Sequence, residues 1–292
     1  MHKLKHIGFW LLAIIITLGA AAYQRATGPT HPIKVDVKLA DQHFKFSLIR
    51  TQEIGSPCYI DVPVDVNLIQ GTVFYKRLNV DEPWSEAILT ARSKKERAFF
   101  GEGKEIQVLS SVLPEQPEAG KLEYFIELRH NDQVQFIAKE HPIAIRFKGA
   151  VPAYILAPHI FFMFLAMLLA SITAIYYLAK DSKRTWYFGI RTYIALFIGG
   201  MILGPIVQKF AFSEFWTGVP FGWDLTDNKT LIAFVFWTIA IVLNRNRKNM
   251  YWFIVATIVL YAVYSIPHSA YGSEFDYETG VVTQGLILPL MF

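Results

Sequence analysis

A single cysteine, Cys58, stands among the 292 residues. No intrachain disulfide and no multi-cysteine metal site can be built from it, and alone it reads as a small buried apolar side chain rather than a reactive thiol. No nucleophile elbow, phosphate-binding loop, zincin motif or kinase signature occurs, so no reaction class declares itself by motif. No Cys-x-x-Cys-His run is present for covalent haem, and no His-x-x-x-His pair occurs in residues 151–292. Net charge is a modest +4 and forms no basic patch, which excludes a nucleic-acid partner. One further lack is more informative. Residues 211–228 and 269–292 contain no lysine or arginine at all.

What is present is apolar. The sequence is 53% hydrophobic with mean hydropathy +0.31, and the excess gathers in five blocks. The first, Ile7–Tyr23, comes after the basic start Lys3 and Lys5. It has the layout of a secretory signal and almost the ~20 residues a spanning helix needs. Residues 1–25 thus form either an uncleaved signal anchor or a signal peptide, and both deliver the next segment to the outside. Four more blocks lie in residues 151–292: Pro152–Ala179, Trp186–Phe210, Thr230–Leu243 and Met250–Ile266, the third short unless it begins near Leu225. Lys180, Lys183 and Arg184 come directly after the first of these, and Arg245, Arg247 and Lys248 after the third. If each block crosses once, every basic cluster falls on the N-terminal side. The positive-inside rule then sets the N-terminus in the cytoplasm, with residues 33–149 and the C-terminus outside the cell's inner membrane. The lipid bilayer is the first partner so implied.

Residues 33–149 obey a different period. Lys34–Leu39, Gly71–Lys76 and Leu122–Leu128 alternate apolar and polar positions, with turn residues between them such as Gly55-Ser56-Pro57 and Asn131-Asp132. Period two at this spacing predicts an antiparallel β-sandwich. Ser111–Lys148 resembles the last strands of immunoglobulin-like and fibronectin type III domains: Leu113-Pro114 leads through Gly120 to Leu122–Ile126, then to a polar hairpin, and His141–Ile145 closes the run. The resemblance implies a binding or spacer module, with an envelope protein as its partner, and no chemistry. The fold class is therefore membrane α plus β: signal anchor, extracytoplasmic Ig-like sandwich, and C-terminal four-helix transmembrane bundle.

Chemistry, if any, is expected at the outer rim of the bundle. Glu214, Asp224, Asp227, Glu274 and Asp276 map there, with Trp216, Trp223 and Lys229. The loop 212–229 reads as ordered and membrane-lying; its tryptophans fit an interfacial belt, and Asp227 or Thr226 an N-cap. Lys209 and Lys229 flank it, each within reach of pairing with Glu214 or Asp227. Gly200-x-x-x-Gly204 reads as helix packing, and Pro205 as a kink. His159 and His268 stand out. Counted at ~1.5 Å per residue from the cytoplasmic ends, both reach similar depth, roughly 30 and 27 Å. Equal depth suits a shared ligand, a haem b or a divalent metal ion completed by Asp224 or Asp227. The alternative is that each imidazole bonds a backbone carbonyl freed near a proline. The tail Gly272–Val282, with a histidine before it, resembles the end of small uncharacterised four-helix membrane proteins with suspected redox roles. Three functions are open on this reading: a haem- or metal-binding redox protein, a non-catalytic envelope subunit, and a membrane-embedded zinc hydrolase.

Overall fold

The computed structural model describes residues 2–39, 42–96, 103–246, 250–267 and 273–283. They divide into two compact units. Residues up to Pro29 join Ala150–Ser273 in one, and Thr30–Gly149 joins Glu274–Val282 in the other. The boundary at Gly149 agrees with the change of sequence period. The tail departs from the sequence-based division, because Glu274–Val282 groups with the β unit rather than with the helices.

The helical unit consists of α1 (His2–Thr27), α2 (Ala153–Leu178), α3 (Ser182–Leu196), α4 (Gly204–Phe212), α5 (Leu225–Leu243) and α6 (Tyr251–Ser265). Four stretches are long and apolar enough to cross a membrane: Leu4–Thr27, Ala153–Leu178, Ser182–Phe212 and Leu225–Leu243. The short third block of the C-terminal region does begin at Leu225, because Asp224 caps the helix there. α6 is apolar but spans only 15 residues, about 22 Å of rise. Pro205 does not break the second span. A π-helical turn, Phe197–Leu203, joins α3 to α4, and Gly204 N bonds the Gly199 carbonyl five residues back. The wider turn takes up the register that proline's missing N–H disturbs.

Small residues let these helices approach. Ala166, Ala170, Ala233, Ala240 and Ala256 are fully buried around Trp237 and Phe253. Gly199 lies against α2, where a Cβ would meet Met163 and Phe162 at 2.9 Å; Gly200 faces Thr230 of α5. The glycine face is thus a packing face. α2 neighbours α1, α3 and α6, and α5 neighbours α3 and α6. α1 is part of this core. Its Ala13 and Thr17 are buried, the His6 ring shares a hydrogen bond with the Tyr176 hydroxyl at 3.0 Å, and Gln24 donates to the Tyr264 carbonyl at 3.3 Å.

The β unit contains the hairpin β1 (Ile33–Leu39) and β2 (Gln42–Leu48), then β3 (Thr51–Glu53), β4 (Cys58–Val62), β5 (Gln70–Arg77), β6 (Ser85–Ile88), β7 (Thr90–Lys95), β8 (Glu105–Leu113), β9 (Lys121–His130), β10 (Gln133–Ile137) and β11 (Ile143–Lys148). One sheet runs β3-β11-β9-β5-β6 with β10 also on β9, and a second runs β4-β8-β7. The alternating segments form strands as expected, and Asn131 turns the β9–β10 hairpin with φ 51°. One pairing departs from the antiparallel expectation: β3 lies parallel to β11, Thr51 opposite Arg146. Ile60 and Val62 of the smaller sheet share a core with Val73, Ile126 and Ile145 of the larger. Cys58 is buried in that core, and burial pushes its thiol up to about 12.

Candidate functional site: the aromatic loop and the His159 cavity

α4 ends at Ser213, which adopts a left-handed conformation with φ 60°, and the chain turns into the aromatic loop. Two carboxylates of opposite function organise this loop. Asp224 Oδ1 accepts from Thr226 N at 2.7 Å and Asp227 N at 3.3 Å, closing the first turn of α5. Its Oδ2 accepts from Ser273 N at 2.8 Å and Ser273 Oγ at 2.9 Å. Asp227, one turn on, points back to the loop. Its Oδ2 accepts from Thr217 N at 2.6 Å, Thr217 Oγ1 at 3.1 Å and Gly218 N at 3.1 Å. Thr217 Oγ1 in turn accepts from Gln208 Nε2 at 2.6 Å. Asn228 Oδ1 takes the Val219 N–H at 2.8 Å. Gly218 is required here, because a Cβ would sit 2.7 Å from Asp227 Cβ.

Asp224, Asp227, Thr217 and Ser273 are all buried. The cluster is a fastening for the loop: buried backbone N–H groups that would otherwise lack partners are given charged acceptors. Phe215, Phe221 and Trp223 are exposed, Trp223 at 67%, while Trp216 is half-buried and donates from Nε1 to the Val219 carbonyl at 3.1 Å. Glu214 is exposed.

The expected lysine pairings are not formed. Lys229, though buried, donates from Nζ to the Ile266 carbonyl at 2.8 Å, and Lys209 Nζ to the Ser213 carbonyl at 2.6 Å. Both carbonyls lie where a helix has ended and left acceptors free, which a flexible ammonium reaches more readily than a carboxylate already engaged.

Two other rim candidates belong to the β unit. Glu274, in the short strand β12 (Glu274–Phe275), pairs with Lys121 Nζ at 3.0 Å and accepts from Asn79 Nδ2 at 3.0 Å. Asp276 Oδ1 accepts from Glu278 N at 2.8 Å and Thr279 N at 3.2 Å, making a local turn. The Tyr277 hydroxyl donates to Lys121 O and accepts from Lys121 N, both at 3.0 Å. The tail is thus stitched to the start of β9.

His159 Nδ1 lies 2.9 Å from the Gly199 carbonyl, in the π-helical turn, so this nitrogen carries its hydrogen. His159 thus bonds a backbone carbonyl, but not one freed by its neighbouring Pro158: the Gly199 carbonyl lies on another helix and also accepts from Gly204 N. His268 lies outside the described residues. The depth count that matched it to His159 assumed a helix through position 268; α6 ends at Ser265, and Ile266 is extended. Among the described residues no group of three or more His, Cys, Asp and Glu side chains is gathered to hold a metal. Asp224 and Asp227 are engaged as loop acceptors, and His159 is not drawn to them by any hydrogen bond among the described residues. Among the described residues His159, Asp224 and Asp227 therefore do not come together as a zinc ligand set.

Gln208, Thr217, Asn228 and Ser273 complete the cluster, and sequence reasoning missed all four. The N-cap expected at Asp227 or Thr226 is instead Asp224, because α5 begins at Leu225. Ser273, 49 residues from its partner, carries no local signal.

The chain matches no family model, no curated protein and no solved structure, so its function is argued from this geometry alone.

Proposed function

We propose that the chain is a non-catalytic subunit of the cell envelope, in which a membrane-anchored helical bundle carries an Ig-like β-sandwich outside the cytoplasm and the sandwich binds a partner protein. The carrying observation is that Asp224 and Asp227, the acids expected to furnish a ligand or catalytic set, are consumed in fastening the aromatic loop. Buried polar groups fully engaged in this way give rigidity rather than a reactive site. α1 acts as a retained anchor, because its buried face and its bonds to Tyr176 and Tyr264 make it a structural helix of the bundle.

The proposed orientation has support beyond the positive-inside rule. Glu274–Val282 belongs to the same compact unit as residues 30–149. The chain therefore leaves that unit at Ala150 and returns to it at Glu274, which requires an even number of crossings between them. Four crossings meet this condition only if short α6 also crosses. Exposed Phe215, Phe221 and Trp223 suit a loop lying at the interface on that same outer side.

A photoreactive residue at exposed Ile88 or Leu68 of the β unit tests the reading in cells. The expected result is a discrete protein adduct from at least one of these positions and none from lipid-facing Ile258. Stoichiometric haem or metal in the purified protein would overturn it.

A further inference from the structure

The helical unit contains a cavity of about 250 Å³ bounded by α1, α2, α4 and α6. His159, Met163 and Met167 line it from one face of α2, at successive spacings of four residues; Gln24, Val207 and Tyr264 come from the other helices. Most of its wall is apolar. Its polar groups are largely committed among themselves: Gln24 Nε2 donates to the Tyr264 carbonyl at 3.3 Å, and the Tyr264 hydroxyl to Met163 Sδ at 3.5 Å. His159 differs. Its Nδ1–H is held by Gly199 O, so as a neutral imidazole the ring offers Nε2 as an acceptor, and among the described residues nothing is bonded to it.

An imidazole within a span is costly to keep without a use, and an apolar pocket between helices with one fixed polar group is the ordinary form of a small-molecule site. We infer that this cavity takes the ring of a lipid-soluble quinol, with one ring hydroxyl donating to His159 Nε2. The donor must come from the ligand, because the histidine offers only a lone pair there. The ring is aromatic because the two thioethers and Phe164, which also lines the cavity, favour a flat π surface over an alkyl chain. The tail is apolar because the cavity lies among helices built to face lipid. Oxidation to the quinone removes the hydroxyl hydrogens and with them the bond to Nε2. The site therefore discriminates by redox state, although the inference concerns binding alone. It rests on the helices lying in a membrane and not on the proposed partner of the β unit, so either reading can fail without the other.

The test uses the full chain in detergent micelles under anaerobic conditions, with decylubiquinol and decylubiquinone as probes. The expected result is one saturable site per chain with at least tenfold tighter binding of the quinol. His159→Leu should bring the two probes within twofold of each other. Val207→Trp, which leaves His159 in place and fills the cavity, should weaken both at least tenfold. Circular dichroism and elution volume establish that each variant is folded. Equal affinity of the two probes for the unaltered protein, preference for the quinone, a preference that survives His159→Leu, or uptake that never saturates (partition into the micelle only) would each overturn the inference.

Discussion

Asp227 separates a fastening from a ligand site by the difference between two substitutions. Three hydrogen bonds arrive at one oxygen of it, Oδ2, from Thr217 N, Thr217 Oγ1 and Gly218 N. Asp227→Ala leaves two buried backbone N–H groups without an acceptor, at about 1–3 kcal/mol each, while the hydroxyl can rotate to another partner. The loss is then about 2–6 kcal/mol. Asp227→Asn can place its carbonyl oxygen where Oδ2 was and keep every bond in neutral form. It forfeits only the charge assistance, on the order of 1–2 kcal/mol over the three bonds. The loop carries Phe215, Trp216, Phe221 and Trp223, so limited chymotrypsin digestion in mild detergent reads its opening directly. When opening is fast relative to cleavage, the rate tracks the open population, and about 1.4 kcal/mol is tenfold. Asp227→Ala should therefore speed loop cleavage by roughly 30-fold or more, and Asp227→Asn by roughly 5- to 30-fold, in each case less than Asp227→Ala. Equal damage from both variants would refute the reasoning, because a side chain valued for its charge or as a metal ligand is not replaced by an amide.

Other expectations concern the β unit. Cys58 should resist maleimide at neutral pH in the folded chain and react once denaturant exposes it, since burial pushes its thiol up to about 12; rapid native labelling would contradict this. Burial raises the Asp61 carboxyl, but Lys94, Ser110 and Arg92 outweigh it and hold it below its ordinary range. A depressed folded value adds stability that is complete above the unfolded pKa of about 4 and is lost as pH falls through the lowered value. The stability difference between the unaltered chain and Asp61→Asn should accordingly shrink across that acid window, as measured by denaturant titration at several pH values. Tyr277→Phe removes the hydroxyl that both donates to and accepts from the backbone of Lys121. Hydrogen exchange at the Lys121 amide should rise about fivefold or more, at about 1–3 kcal/mol for the one N–H left unpaired (the carbonyl keeps Leu78 N at 3.1 Å), while the β5–β9 amides keep their protection.

The sequence foretold the elements better than their long-range meetings. Period two in Lys34–Leu39 and Leu122–Leu128 marked β1 and β9 because one face of each is buried. The apolar blocks marked the helices for the same reason, burial and lipid both demanding apolar surface. The parallel pairing of β3 with β11 was not legible, since a three-residue strand carries no period. At the candidate site the acids, the aromatics and His159 were all noticed, but their roles depend on partners distant in the chain. Asp224 is completed by Ser273 and His159 by Gly199, and neither partner has a local signature. Glu274 and Asp276 were assigned to the bundle because they come after its last helix. The hydroxyl of Tyr277 and the Lys121 ammonium draw that tail to the β unit instead. Helical rise gives the depth only as far as Ser265, where α6 ends, and His268 lies outside the described residues.

The central claim is a β unit held outside the cytoplasm by an even number of crossings, and paired topology reporters test it most directly. One reporter is inserted at the Asn131 turn and one fused after Phe292, each of a kind active only outside the cytoplasm. Both should be active, with a cytoplasmic reporter silent at the same two positions. Activity at Asn131 without activity after Phe292 would mean that α6 does not cross, and a silent reporter at Asn131 would contradict the account at its base.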